Sequence, residues 1–174
     1  MATVSGGEKM ERVLRDLGAK LGRARAVRVG FLEDATYPDG SSVAQAAAIN
    51  NYGAPGVGIP SRPFFTNMVA QKSPEWGKRF WRVLKAADYD TDLALNRMGE
   101  GIATQLRQAI VDTNDPPNSA VTNLLKQRFP MRDGMTFSDV QKARADVHAG
   151  ITAAPGKPLV WTGVMLNSVG VEVE

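Results

Sequence analysis

Met10, Val13, Leu14, Leu17 and Leu21 recur at steps of three and four with charges between them, which predicts an amphipathic helix over residues 6 to 22. Its apolar stripe needs something to cover. Residues 27 to 32, VRVGFL, are short and β-branched and read as a strand, with Val27, Val29 and Phe31 on one face. A turn-rich stretch follows, and Ser41 or Ser42 is placed to cap a short Ala-rich helix through VAQAAAINNY that Gly53 ends. Residues 53 to 63, GAPGVGIPSRP, are too rich in Gly and Pro for regular structure and read as a shaped loop.

A helical pattern resumes at FFTNMVAQ, and Pro74 stands where a separate helix could start, because proline is tolerated in a first turn. In that second piece Trp76, Phe80, Val83 and Leu84 share one side, and Lys78, Arg82 and Lys85 another. Residues 90 to 112 carry the strongest helical pattern: Leu95, Met98, Ile102, Leu106 and Ile110 step by three or four. Gly99 and Gly101 inside it lower helix propensity, and they read as close-packing positions. A turn and a short helix capped by Ser119 come next. Residues 129 to 157 are interrupted by Pro and Gly around one candidate helix, SDVQKARADVH, and read as a long excursion or arm, mobile unless a partner orders it. The end reads as a short helix from Thr162 to Ser168 and a last strand, VGVEVE. The expected fold is a single α+β domain over residues 1 to 174, with a small, mostly antiparallel sheet against several helices including one long central helix.

The 174 residues are 43% hydrophobic and 22% charged, which suits a folded domain. There is no cysteine and one histidine, His148, so disulfides and thiolate chemistry are excluded and no metal or cofactor is expected. No apolar run approaches the roughly 20 residues that cross a bilayer, and the N-terminus lacks the apolar centre of a signal peptide, so no membrane partner is expected. Net charge is +3, from 21 basic and 18 acidic residues. The first 30 residues hold seven of the basic and three of the acidic ones, which leaves 14 against 15 in the remainder. The basic helix at residues 1 to 25 therefore carries the excess, either as a solvated face or as a surface for a polyanion.

Candidate chemistry is sparse. SGGEK lacks the spacing of a phosphate-binding loop, and GAPGVGIP is followed by prolines rather than a helix N-terminus. Asp90 and Asp92 stand where a helix begins and read as capping groups; Asp112 and Asp115 close it beside Pro116 and Pro117. His148 has no triad partners nearby and reads as a helix-end residue, so no enzyme is expected. Arg and Lys interleaved with Trp and Phe at residues 75 to 86 fit either a core face with a solvated flank or a nucleic-acid surface.

Four patches carry a further pattern: NNYG (50 to 53), IPSRPFF (59 to 65), PPNSAVTNLLK (116 to 126) and KPLVWTGVMLNSVGVEV (157 to 173). As a set they resemble the tailed-bacteriophage tail-completion family, which includes the lambda minor tail protein Z group. The chain departs from that pattern at Asn51 and Trp161, where acidic residues are usual, and in the length of residues 129 to 156. The resemblance implies a non-enzymatic structural protein of the virion neck or head-proximal tail, present in the host cytoplasm during assembly. It would form a homo-oligomeric ring, expected to be a hexamer, joining the tail to the head connector around the DNA channel. Its partners would be itself, the connector, tail terminator or tube proteins, and packaged DNA through nonspecific contacts. Interface residues would be Ile59, Pro60, Arg62, Pro63, Phe64 and Phe65, then Trp161, Thr162 and Gly163, and Val171 and Val173 on the last strand, whose edge could pair with a neighbour. Phe64 and Phe65 fit a docking element or an anchor for the next helix equally well. The alternative is a non-enzymatic nucleic-acid-binding module using Lys9, Arg12, Lys78, Arg79, Arg82 and Lys85.

Overall fold

A computed structural model describes residues 7 to 20, 26 to 32 and 34 to 174. Among them the chain runs α1 (Gly7–Lys20), β1 (Val27–Phe31), α2 (Val43–Tyr52), α3 (Phe64–Ala86), α4 (Thr91–Asp112), α5 (Ala120–Arg128), α6 (Phe137–His148), α7 (Val164–Asn167) and β2 (Val169–Val173). This is an α+β fold. β1 and β2 pair antiparallel, Val27 opposite Val173 and Phe31 opposite Val169, so the last strand returns to the first. The ribbon lies against α4, as do α3 and α7.

The close approach of α4 to the ribbon depends on one glycine. A Cβ at Gly99 would overlap the Val171 side chain and lie 2.8 Å from Val27 Cγ2, so only a hydrogen fits between helix and sheet. Gly101 is different: a Cβ there would meet nothing within 4 Å, and the expectation of close packing fails because two residues on, the helix has turned away from the sheet. The expected stripe otherwise holds, with Leu106 and Ile110 fully buried and Ala103 added. These side chains join Val43 and Ala47 of α2, Phe64 and Met68 of α3, Met165 and Val169 in one core. Full burial of each large aliphatic side chain contributes about 1.5–3 kcal/mol.

Pro74 does not start a helix. It sits inside α3, which runs unbroken for 23 residues. Proline removes one backbone hydrogen bond, but the apolar face continues through it. Met68, Val69 and Trp76 pack on the main core, Phe80, Val83 and Leu84 on a second cluster with Ala87, Tyr89 and Ala94, and Trp76 Nε1 donates to Gln105 Oε1 of α4 at 3.0 Å. Tertiary packing on both sides of Pro74 outweighs the local loss. Asp90 caps α4 through Leu93 N, Ser42 caps α2 and Ser119 caps α5, as their positions predict.

Residues 129 to 157, read as an excursion, fold back on α5. Leu124, Leu125 and Ala143 form a third buried cluster with Phe129, Val140, Val147 and Trp161 around it. Thr136 and Asp139 make a reciprocal capping box at the start of α6, and Arg128 pairs with Asp146 at 2.6 Å. The α1 stripe, in contrast, is open: Met10, Val13 and Leu14 are 62%, 54% and 58% exposed. Leu21, Arg23 and Arg25, which extend the expected helix, lie outside the described residues. No helix among the described residues is long and apolar enough to cross a membrane.

Candidate functional site

α2 ends at Gly53, whose φ of 79° and 2.8 Å spacing from a notional Cβ to Ser61 N both require glycine. The chain then makes a short 3-10 turn (Pro55–Val57) and closes with a bridge between Ala54 and Ile59. Two asparagines fasten this loop. Asn50 O accepts from Arg62 N at 2.7 Å; Asn51, 4% exposed, accepts through Oδ1 from Phe65 N (3.0 Å) and Thr66 N (3.2 Å). Asn51 thus caps α3 from a neighbouring helix, leaving the loop between as a rigid wall.

The loop holds Arg62, 7% exposed, with its guanidinium turned inward. Nε donates to Pro116 O at 2.8 Å and Nη2 to Pro117 O at 3.1 Å, which ties the loop to the turn before α5. Beyond that turn Asn118 Nδ2 donates to Gly156 O and Gly156 N to Asn123 Oδ1, both at 3.1 Å. Lys126 of α5 donates from Nζ to the carbonyls of Lys157 and Val160, and Trp161 Nε1 donates to Phe129 O at 2.8 Å.

These walls enclose a half-open cavity of about 560 Å³. Asn50, Ile59, Pro60 and Arg62 form one side, Asn118, Ser119, Thr122 and Lys126 a second, and Leu159, Trp161, Thr162 and Gly163 a third, with Tyr37 and Arg132 also lining it. All four patches of the family resemblance therefore contribute to one concave surface. Burial lowers the pKa of Arg62 and, with the Arg62 charge adding to it, that of Lys126. Burial raises the Tyr37 phenol while Arg132 opposes that shift. Lys126 Nζ stands 5.8 Å from the Trp161 ring centroid and Arg132 Cζ 5.1 Å, both within cation–π range. Arg62, Lys126 and Arg132 thus line one cavity, and among the described residues no carboxylate lines it with them.

Of the residues expected at an interface, Ile59, Pro60, Arg62, Trp161, Thr162 and Gly163 meet here. The others do not. Pro63 precedes α3, Phe64 is buried and stacks edge-on to Phe31 at 6.4 Å, and Phe65 packs on the core, so both rings anchor α3 rather than project. Val171 packs under Gly99 and Val173 pairs with Val27, which occupies one edge of β2 with β1.

Among the basic residues, Arg12, Lys78, Arg79, Arg82 and Lys85 are exposed, and the Lys9 side chain lies outside the described residues. Arg79 pairs with Glu75 at 2.9 Å, Lys85 Nζ lies 5.3 Å from the Trp81 ring centroid, and Arg79, Arg82 and Arg97 line a groove between α3 and α4. Lys126 and Arg132 are cavity cations that sequence reading passed over as site residues, and Tyr37 is another lining residue it passed over. Lys126 closes the PPNSAVTNLLK patch, and its place in that patch was the only available signal. Among the described residues no group of three His, Asp or Glu side chains could hold a metal ion. Comparison with protein-family models, curated proteins and solved structures gives no match for this chain.

Proposed function

We propose that the protein is a non-enzymatic structural subunit of a tailed-phage virion, a ring-forming tail-completion or neck component that joins the tail to the head connector. One observation carries this reading: the four patches of the family resemblance, spread over more than a hundred residues of sequence, line one concave surface. Motifs distant in sequence that meet at one hollow can serve one recognition surface, since binding sites are typically concave with a few placed polar groups. Ring assembly also needs apolar surface outside the core, and the α1 stripe supplies it. Particles assembled with and without the chain test the reading by electron microscopy. The expected result is an added ring of density at the neck and unjoined heads and tails when the chain is missing. Normal joining without it would overturn the proposal.

A second reading, nucleic-acid binding, is favoured by the groove that Arg79, Arg82 and Arg97 share. It predicts monomeric protein whose affinity for duplex DNA falls steeply and log-linearly with salt. A salt-insensitive oligomer with no such affinity would exclude it.

A further inference from the structure

We propose that the cavity between the Ile59 loop, α5 and Trp161 is a carboxylate-binding site that receives an acidic peptide segment of a partner protein. The inference stands on the cavity alone and holds whether or not the chain forms a ring. Arg62, Lys126 and Arg132 line it, with no carboxylate among the described residues of the lining. Among the described residues the two deeper cations are held by neutral partners: Arg62 by the carbonyls of Pro116 and Pro117, Lys126 by those of Lys157 and Val160. Carbonyl dipoles orient these cations but leave their net charge standing, so like charges are fixed together in a partly desolvated space. An arriving carboxylate supplies the missing countercharge in charge-assisted hydrogen bonds. Asp39, the acid whose charge interacts with Arg132, lies outside the lining, and its own carboxylate accepts from Ser41 N and Oγ.

The form of the site favours a peptide over a nucleic acid. Arg62 is 93% buried, given its 7% exposure, and sits among walls set by Pro60, Pro117 and Pro158. A side-chain carboxylate on a short stem can enter such a hollow, while the phosphates of a duplex lie on a convex cylinder and cannot. The apolar surfaces of Ile59, Leu159 and Met165 would accept an aliphatic neighbour of the acid, and the fixed proline φ values mean the wall is ordered before binding.

The test uses the purified full chain and four probes: a short blocked peptide alternating leucine and glutamate, the same peptide with glutamine for glutamate, oligothymidylate, and inorganic phosphate. Calorimetry gives affinity, and the indole N–H resonance of Trp161 reports where binding occurs. The glutamate peptide is expected to bind about tenfold more tightly than its glutamine form and to shift the Trp161 resonance. Arg132→Gln, at an exposed position, is expected to weaken the glutamate peptide severalfold with only the small loss of thermal midpoint that goes with its cation–π contact to Trp161, and Lys126→Met serves as the second variant. Equal affinity for the glutamine peptide would overturn the proposal, as would binding that leaves Trp161 unmoved or no binding at all. Oligothymidylate or phosphate binding that depends on Arg132 while the glutamate peptide fails would replace it with a phosphate site.

Discussion

Cations stand in two contrasting settings in this chain. In the cavity, Arg62 and Lys126 are drawn from segments 64 residues apart, and each gives two donors to backbone carbonyls. On the outer face of α3, Lys78, Arg79, Arg82 and Lys85 lie within eight consecutive residues and face solvent, with Arg79 paired to Glu75 one turn away. The first group holds walls together. The second decorates a helix whose stability comes from its other face. Basic residues close in sequence are therefore a poor guide to which cations matter for structure, because burial and not clustering sets the strength of their hydrogen bonds.

The largest effect that separates the two settings is expected at Arg62. Arg62→Met removes two charge-assisted hydrogen bonds between the loop and the Pro116–Pro117 turn, for a loss of about 2–3 kcal/mol. Urea unfolding checks this, and a loss below about 1 kcal/mol would break the contrast.

The two glycines of α4 sharpen it in a different way, since Gly99 faces the sheet and Gly101 faces the groove lined by Arg79 and Arg82. Gly99→Ala forces Val171 and Val27 to move and is expected to cost about 1–3 kcal/mol, partly offset by helix propensity. Gly101→Ala meets no neighbour and is expected to stabilise by up to about 1 kcal/mol. Thermal melts of the two variants should move in opposite directions.

Lys126 links the contrast to pH. Its folded pKa lies below the ordinary lysine value because of burial first and the Arg62 charge second, so the folded state binds fewer protons than the unfolded one in that interval. Stability is therefore expected to rise as pH climbs from the lowered value toward about 10.4. An amine titration by NMR should show the lowered pKa, and Arg62→Met should move it back up. The smallest effect belongs to the surface: Arg79→Ala breaks an exposed i,i+4 pair and is expected to cost about 0.3–0.5 kcal/mol, near the limit of a urea titration.

Local signals in the sequence carried much of the fold. The caps at Ser42, Asp90 and Ser119, the strand from Val27, the end of α2 at Gly53 and the α4 stripe all depend on near neighbours in the chain, and such patterns are visible in one dimension. Continuity through Pro74 was not visible, because it rests on contacts with α4 about thirty residues away, such as the bond from Trp76 to Gln105. The same holds for residues 129 to 157. Their Pro and Gly content reads as a loose arm, yet Ala143, Val140 and Val147 give α6 a face that α5 and Trp161 cover.

The site divides along the same line. Its motifs could be picked out as four patches, but not that they share a cavity, nor that Phe64 and Phe65 turn inward while Arg62 reaches the Pro116–Pro117 turn. At Asn51 and Trp161, two of the three places where the chain departs from the pattern it resembles, the side chains have physical roles. Asn51 caps α3 from α2, and Trp161 lies within reach of two cations while bonding Phe129 O.

What the sequence determined by itself is most of the elements, the absence of thiol chemistry and the excess of positive charge near the N-terminus. Periodicity, caps and composition are properties of neighbouring residues, so they survive without a fold. Only the tertiary structure decided which of the two α4 glycines the sheet needs, which cations are buried and that one of the four patches' shared walls is an indole. Each of those outcomes depends on residues far apart in the chain meeting in space, and a spacing along the backbone does not encode that meeting.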